Sequence, residues 1–305
     1  MQLDYLLKST IKHFKFDYKI IVIYHTTGKH EEGYKKLINH YSQNPQIEFL
    51  EREPNVLSIK QKITWKKEDK HKFLKQDNFK KLLEDTLEQT EYELVMFNTD
   101  DGFWLEDVTL DFSIQNLIKY NPKSVSYRLY VGKNLENFPT YVKRWGDYYL
   151  WDYFFDDKVT HWSYPFAVDG TIYNTKGILE ILKNVYYYNP VTLESNVENY
   201  AKKNNLFAIG LSPITSKLIG TKLNRVAVET QNPTIHIKPE LLNGYYLEGY
   251  TLDLELPKVI ENSNVVPLNI YILKNNEKLN IYTLDDFGQE VQSNLGIEGA
   301  KKQME

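Results

Sequence analysis

Two adjacent carboxylates, Asp100 and Asp101, are the residues of this chain whose types and spacing point most directly to chemistry. They follow the apolar run 94–97, which is short, bounded by polar residues and typical of a buried strand. Two carboxylates at the edge of a core repel each other and lose hydration unless a cation or a network of donors compensates them. Hard carboxylate oxygens suit Mg²⁺ or Mn²⁺. The alternative is that the pair forms a turn or caps the next helix, where Asp is also favoured.

The segments before the acidic pair alternate between helix and strand patterns. Helices are predicted over 3–14, 31–41 and 73–90, and strands over 17–24, 46–52 and 94–97. This β-α-β-α-β order predicts an α/β fold of three layers, with helices on both faces of a mostly parallel central sheet. Ligands collect at the carboxyl ends of strands in such sheets, where Asp100 and Asp101 would lie.

The pattern continues beyond the pair and weakens after about residue 205. Helices are predicted over 113–120, 176–182 and 193–204, strands over 124–130 and 168–173, and a hairpin over 270–282. Thr192 is the candidate cap of the 193–204 helix. The polar C-terminal end fits a helix or a loose tail.

Composition excludes several classes of protein. The chain of 305 residues suffices for one large α/β domain with appendages or for two smaller domains. It has no cysteine, which excludes disulfides, thiolate catalysis and cysteine-ligated metals. The net charge of −4, with dispersed Lys and Glu, argues against a nucleic-acid binder.

The termini and charge runs predict a cytoplasmic protein. The segment 1–8 has an acid where a signal peptide would be basic, and no run approaches the roughly 20 apolar residues that span a membrane. One basic stretch, 60–72, could face phosphates or anionic lipid, although a solvated helix surface is the favoured interpretation. Peripheral contact with the inner face of the membrane therefore stays open.

Aromatic residues are abundant, with 24 Tyr and 5 Trp, and many lie in 141–155 and 161–166. Tyr and Trp combine an apolar face with a polar edge, which suits the C–H faces and hydroxyl rims of sugar rings. Core and interface packing is the alternative for most of them. The surplus of Tyr also leaves a homo-oligomer open.

Three landmarks in this order resemble nucleotide-sugar-dependent glycosyltransferases of the GT-A type, particularly bacterial family-2-like enzymes that build surface polysaccharides. They are the first strand with its loop at 24–28, the segment Thr99-Asp100-Asp101, and the acid in Asn189-Pro190-Val191-Thr192-Leu193-Glu194. The segments 162–170 and 241–244 also look like recurring pieces of that group. The resemblance covers roughly residues 17 to 250 and rests on pattern and order.

The resemblance implies a GT-A-like domain over 1–255, with a nucleotide-sugar-binding half at 1–125 and an acceptor half at 126–255. A C-terminal extension with the hairpin and tail would cover 256–305. The implied activity is metal-dependent transfer of a sugar from a UDP- or GDP-sugar to a glycan or lipid-linked glycan acceptor. Inversion is favoured because Glu194 could act as the base, and retention stays open because sequence does not fix the geometry of attack.

The resemblance also implies a metal and donor site. Thr99-Asp100-Asp101 is similar to the family's DXD motif with a non-acidic first position. Asp101 would then ligate Mn²⁺ or Mg²⁺ on the diphosphate, while Asp100 and Thr99 would contact the donor. His236 could add a contact to the metal or diphosphate, although a single His in an apolar run is more often structural.

The nucleotide would lie over the first-strand loop, where Tyr24, His25 and Thr26 offer hydrogen-bonding groups. A plain strand-to-helix connection is the alternative. Glu51, just after the second strand, resembles an acid that accepts a hydrogen bond from the base, and an exposed loop carboxylate is its alternative.

Glu194 lies where the resemblance expects the catalytic base that takes the proton of the acceptor hydroxyl. A Glu in the first helical turn is also favourable helix electrostatics. Asp169 is the rival base, or else an acceptor contact or a turn residue before Gly170. Trp162, Tyr164 and Arg144 are the candidate acceptor contacts, with packing or surface solvation as the alternatives.

Two other classes compete with this interpretation. A non-catalytic carbohydrate-binding protein could keep the same fold. A sugar-phosphate nucleotidyltransferase would instead show a Gly-rich basic loop after the first strand, and the segment 25–29 is a poor version of one.

Overall fold

The computed structural model describes residues 1–26, 28–74, 77–135, 138–155, 160–221, 223, 235, 237–260, 264–284 and 290–291. Helices α1 to α9 are, in chain order, Gln2–His13, Glu31–Tyr41, Ile59–Thr64, Lys67–Leu74, Phe79–Gln89, Phe112–Tyr120, Thr175–Asn184, Pro190–Lys203 and Pro239–Glu248. Strands β1 to β15 are Ile20–Tyr24, Ile47–Glu51, Leu94–Phe97, Gly102–Trp104, Val125–Arg128, Lys143–Trp145, Tyr148–Asp152, Thr171–Asn174, Ile209–Pro213, Leu218–Thr221, Thr251–Glu255, Asn264–Val265, Asn269–Lys274, Glu277–Leu284 and Glu290–Val291.

The largest sheet of the described residues is mixed, with the strand order β3-β8-β5-β9-β7-β6. Only β5 and β9 run parallel, while the other four pairs are antiparallel. The α/β class is confirmed, but the prediction of a mostly parallel central sheet is wrong. A later strand, β8, inserts antiparallel between β3 and β5, and the order of elements along the chain does not specify such an insertion.

Three smaller sheets surround this one. Strands β1 and β2 form a parallel pair, in which Tyr24 is the partner of Glu51. The order β12-β10-β4 makes a second sheet, and β11-β13-β14-β15 makes a third. The predicted hairpin is confirmed in β13 and β14, which are joined at Asn275 and Asn276. Both Asn residues have positive φ, at 48° and 69°, the backbone that a two-residue hairpin turn requires.

Helices cover both faces of the large sheet. On β3, Val95 and Phe97 pack with α5, α7 and α8, whereas Leu94 and Met96 pack with α1 and α6. Successive residues of a strand point to opposite faces, so these apolar side chains fill two separate cores. This arrangement explains why β3 reads as an unbroken apolar run. Within the described residues, no helix is long and apolar enough to cross a bilayer.

The helix predicted over 73–90 is interrupted. Helix α4 ends at Leu74, and α5 begins at Phe79. Between them, the buried Asp77 pairs with Arg52 and accepts a hydrogen bond from the backbone N–H of Phe79 at 2.8 Å. An Asp side chain that binds a backbone N–H two residues on favours a turn over a continuous helix.

Candidate active site

The chain turns sharply after β3 and brings the predicted acidic pair to the end of that strand. The backbone N–H of Gly102 donates to the carbonyl of Thr99 at 3.2 Å, which closes the turn. Strand β10 fixes the other side, because the backbone N–H and the hydroxyl of Thr221 donate to the carbonyl of Asp101 at 2.9 and 3.0 Å. The pair therefore lies in a turn, as the simpler interpretation expected, but in a turn anchored to a neighbouring sheet.

Thr99 joins Asp101 to Asp169. Its hydroxyl lies 2.6 Å from Oδ1 of Asp101 and 2.9 Å from Oδ1 of Asp169. A hydroxyl has one hydrogen and can donate to only one of the two carboxylates. The second contact is favourable if that carboxyl group is protonated and donates, or if a cation is bound nearby.

Asp169 holds a proton more readily than an ordinary aspartate does. It keeps part of its surface exposed, but its carboxyl group is enclosed by protein. Burial first, and then the charges of Glu194 and Asp101, raise the pKa of Asp169 from 3.8 to about 7. A carboxyl group with a pKa near neutrality can exchange a proton under ordinary conditions.

Glu194 reaches the same place from α8. The helix begins at Pro190 and is capped by Asn189, whose side chain accepts from the backbone N–H of Thr192. The prediction of Thr192 as the cap is therefore wrong, since Pro suits the first helical position and Asn is a strong cap. Glu194 accordingly lies beyond the first turn, where the helix dipole gives a carboxylate little support. Favourable helix electrostatics does not account for its position.

Two carboxylates of α8 hold the segment 161–170, which we term the aromatic segment. Glu194 Oε1 accepts from the backbone N–H of Val168 at 3.2 Å, and Glu198 Oε2 accepts from that of Phe166 at 2.9 Å. Glu194 and Glu198 are four residues apart and therefore lie on one face of α8. Their spacing matches that of the N–H groups of Phe166 and Val168, which are two residues apart. Burial raises the pKa of both carboxyl groups.

Arg128 holds the other side of the aromatic segment. This fully buried residue donates through Nη1 to the carbonyls of His161 and Tyr164 at 2.7 and 2.9 Å. Arg128 is thus a structural anchor beneath the acids, and its charge partly offsets theirs. Neither the anchoring role of Arg128 nor the contact of Glu198 was predicted from the sequence. The signal for Glu198 was available, because it lies one turn after Glu194.

A second group of predicted residues lies at the ends of β1 and β2. The ring of Tyr24 stacks on that of Tyr34 at 4.9 Å, and the charge of Asp100 acts on Tyr34. The Asp100 side chain is solvent-accessible, yet enough protein surrounds it that desolvation and the charge of Asp101 raise its pKa to about 6. Both features fit a carboxylate in a cleft. Tyr34, which lies on α2, is an additional candidate that the sequence pattern did not single out.

The remaining donor candidates are exposed to different degrees. Glu51 is exposed and acts on Tyr24, whose pKa is raised by burial and then by this carboxylate. His25 is exposed, and Thr26 is half-buried. His25 and Thr26 follow β1, whereas Glu51 is the last residue of β2 and does not follow it as predicted. His236 lies outside the described residues.

The three acceptor candidates are not brought together. Tyr164 is half-buried near Glu194 and Glu198, whose charges help to raise its pKa after burial. Trp162 is 3 % exposed, and its ring packs on Trp151 at 4.9 Å, so packing describes its observed contacts. Arg144 is exposed on β6, at the opposite edge of the large sheet from β3. The structure thus brings only Tyr164 to the acids.

The acids fit a divalent cation that is shared with a substrate. Among the described residues no three His, Asp or Glu groups form a complete metal centre. Mg²⁺ and Mn²⁺ are nevertheless commonly held by one or two carboxylates together with substrate phosphates and water. Asp101 and Asp169 supply such oxygens around the Thr99 hydroxyl. A cation would offset the charges of Glu194 and Asp101, which add to burial in raising the pKa of Asp169.

The chemistry available to this arrangement is proton transfer by a carboxylate next to cation-assisted stabilisation of an anion. We term Thr99, Asp101, Asp169 and Glu194 the acidic cluster. Its members come from the end of β3, the loop before β8 and helix α8. No family model and no curated protein matches this chain.

Proposed function

We propose that the chain is a glycosyltransferase with a GT-A-like fold. It transfers a sugar from a nucleotide diphosphate sugar to a glycan or lipid-linked glycan acceptor and depends on Mn²⁺ or Mg²⁺. A single observation carries the proposal: the Thr99 hydroxyl contacts both Asp101 and Asp169, and Glu194 lies beside Asp169. A cytoplasmic location belongs to the same proposal.

The donor is bound between the acidic cluster and the ends of β1 and β2. Asp101 would hold the divalent cation, and Asp100 would contact the ribose or the sugar. Tyr24 and Tyr34 offer a stacked aromatic surface beside Asp100, which suits the flat face of a base or a sugar ring. When bound, the cation neutralises charge that develops on the departing diphosphate.

The acceptor enters beside Tyr164 and α8. The carboxylate of Glu194 takes the proton of the acceptor hydroxyl while the oxygen of that hydroxyl attacks the anomeric carbon of the donor sugar. The bond from that carbon to the diphosphate oxygen breaks, and its electron pair leaves with the nucleoside diphosphate. One direct displacement inverts the anomeric configuration.

Asp169 competes with Glu194 for the role of base. Its pKa of about 7 suits a proton acceptor at neutral pH. Glu194 already accepts a backbone N–H through Oε1, which leaves Oε2 for the acceptor proton. We favour Glu194 as the base and Asp169 as the residue that supports the cation, since Asp169 shares its hydroxyl partner with Asp101.

The test is a panel of UDP- and GDP-sugars incubated with the full chain and Mn²⁺, with and without chelator. The proposal expects release of nucleoside diphosphate from at least one donor, even as slow hydrolysis without acceptor, and loss of this release on chelation. Metal-independent sugar binding without turnover would instead indicate a carbohydrate-binding protein. Pyrophosphate release from a nucleoside triphosphate and a sugar phosphate would indicate a nucleotidyltransferase.

A further inference from the structure

Helix α3 exposes apolar side chains where a folded chain normally buries them. Val56, Ile59 and Ile63 are 72 %, 78 % and 77 % exposed, and no residue of α3 is buried. Ile59 and Ile63 are four residues apart and share one helix face. Single exposed apolar residues are ordinary, but three of them within eight residues, two on α3 and Val56 just before it, point to an interaction surface.

Lysines surround this apolar stripe. At helical spacing, Lys60 and Lys62 lie on either side of the stripe formed by Ile59 and Ile63. Lys66 and Lys67 follow after Thr64 and Trp65, and the sequence has no acid from 56 to 67, before Glu68 and Asp69. All four lysines are exposed, and in the part of the chain that the structure describes no carboxylate pairs with any of them. We term these three apolar residues and four lysines the basic-apolar face.

Local contacts, not a core, hold this face in shape. Ser58 caps α3 by accepting from the backbone N–H of Gln61 at 3.2 Å, while the Gln61 side chain accepts from the N–H of Ser58 at 2.7 Å. Lys70 donates to the carbonyl of Lys62 at 2.5 Å and so satisfies the end of the helix. An isolated helix of this length is not stable without such contacts. Helix α3 is therefore held in shape by local hydrogen bonds, while its apolar face does not pack against the core.

The part of the chain that carries the basic-apolar face is attached to the rest of the protein by hydrogen bonds at its two ends, which we term the clamp. Arg52 donates to both carboxylate oxygens of Asp77, at 3.2 and 2.9 Å, where the chain leaves and returns. The backbone N–H of Glu53 also donates to the Asn78 side chain at 2.8 Å. Because β2 ends at Glu51, the clamp fixes the basic-apolar face relative to the ends of β1 and β2.

We propose that the basic-apolar face docks on an anionic lipid bilayer. Aliphatic side chains with flanking lysines fit the boundary between headgroups and acyl chains, where the apolar residues insert and the lysines meet anionic headgroups. A nucleic acid would call for exposed aromatic stacking partners, and the exposed apolar residues of this face are all aliphatic. The inference does not depend on the proposed function.

Cosedimentation of the full chain with vesicles tests the proposal. Vesicles made of equal amounts of phosphatidylcholine and phosphatidylglycerol should bind the protein, and vesicles of phosphatidylcholine alone should not. The double variants Ile59→Ser/Ile63→Ser and Lys60→Glu/Lys62→Glu should each weaken binding about tenfold or more. Added salt should weaken binding of the parent protein, since surface charges are screened.

The matched control is Phe112→Ser/Val259→Ser, which removes two apolar side chains of similar exposure elsewhere. It should bind the mixed vesicles like the parent protein. Circular dichroism of every variant verifies the fold. The proposal is overturned if the parent protein stays in the supernatant with mixed vesicles, or if both α3 variants bind like the parent. A concentration-dependent dimer that Ile59→Ser/Ile63→Ser abolishes, without vesicle binding, would assign the face to a second copy instead.

Discussion

The carboxylates of Asp101 and Asp169 both lie within hydrogen-bonding distance of the Thr99 hydroxyl, with their Oδ1 atoms at 2.6 and 2.9 Å from it. The two acids come from different parts of the chain, one after β3 and the other before β8. Antiparallel pairing of β3 with β8 brings them together, because Phe97 at the end of one strand is the partner of Thr171 at the start of the other. The sheet order that the sequence did not predict is therefore what builds the acidic cluster.

Replacing Asp101 with Asn should weaken metal-dependent donor binding and slow turnover. The amide that replaces the carboxylate carries no charge for a cation on the diphosphate, so we expect kcat/KM to fall about 100- to 1000-fold. Titration calorimetry with Mn²⁺ and a nucleoside diphosphate measures the binding loss directly. Asp147→Asn, an exposed acid on the other side of the sheet, is the control and should behave like the parent protein. Unchanged Mn²⁺-dependent turnover in Asp101→Asn would remove Asp101 from the site.

Asp169→Asn should stabilise the metal-free protein at alkaline pH while it reduces transfer. The folded pKa is raised from 3.8 to about 7, so the folded chain holds a proton that the unfolded chain releases over this interval. The free energy of unfolding of the parent protein therefore falls as pH rises from about 4 to about 7, and the penalty persists above. Allowing for solvent screening, we expect a gain of about 2 kcal/mol at pH 8 in the variant.

Thermal unfolding in chelator across this pH range provides the measurement. Other buried acids also contribute to the slope of the parent protein, so the difference between parent and variant isolates Asp169. If the stabilities of the parent protein and of Asp169→Asn change in parallel from pH 4 to pH 8, the pKa of Asp169 is not raised by its surroundings. Asp147→Asn again serves as the exposed control.

Several local features followed from the sequence because they depend on neighbouring residues. The strand before the acidic pair, the helix over 113–120 and the hairpin with its Asn-Asn turn are all confirmed. Each has a short-range signal: an apolar run, helical spacing up to Asn121-Pro122, or residues that tolerate positive φ. The position of Asp100 and Asp101 after a strand is confirmed for the same reason.

The sheet order and the supports of the site depend on contacts between distant residues. The burial of Arg128 and its bonds to the aromatic segment require a tertiary structure, and a lone Arg in an alternating strand gives no sign of them. The buried pairing of Asp77 with Arg52, 25 residues earlier, likewise depends on the tertiary structure. The sequence pattern of Trp162 suits a sugar-binding residue, but its ring is buried in the fold. That burial depends on residues distant in sequence, so the sequence alone does not indicate it.

A matched pair on α8 separates base catalysis from structural support. In Glu194→Gln, the amide oxygen can still accept from the N–H of Val168, so the fold should persist while the base is lost. We expect kcat/KM to fall about 100- to 10,000-fold. Glu198→Gln makes the equivalent change one turn away and can still accept from the N–H of Phe166, so it should retain activity.

Steady-state kinetics and circular dichroism of both variants give the answer. Equal losses of activity in the two variants would mean that Glu194, like Glu198, only holds the aromatic segment. Retained activity in Glu194→Gln together with inactivity of Asp169→Asn would transfer the role of base to Asp169.

The clamp between Arg52 and Asp77 should contribute more to stability than the surface ion pairs do. The Asp77 side chain is 1 % exposed and that of Arg52 is 17 % exposed, and Asp77 also accepts the N–H of Phe79. Asp77→Ala leaves the largely buried guanidinium of Arg52 with a hydrogen bond to the carbonyl of Tyr188 but without a carboxylate, so we expect a loss of about 3 kcal/mol in urea denaturation. The control Asp85→Ala removes the exposed pair with Lys81 and should cost less than about 1 kcal/mol. Similar small losses in both variants would mean that the clamp does not hold the basic-apolar face in place, and vesicle binding of Asp77→Ala would then match that of the parent protein.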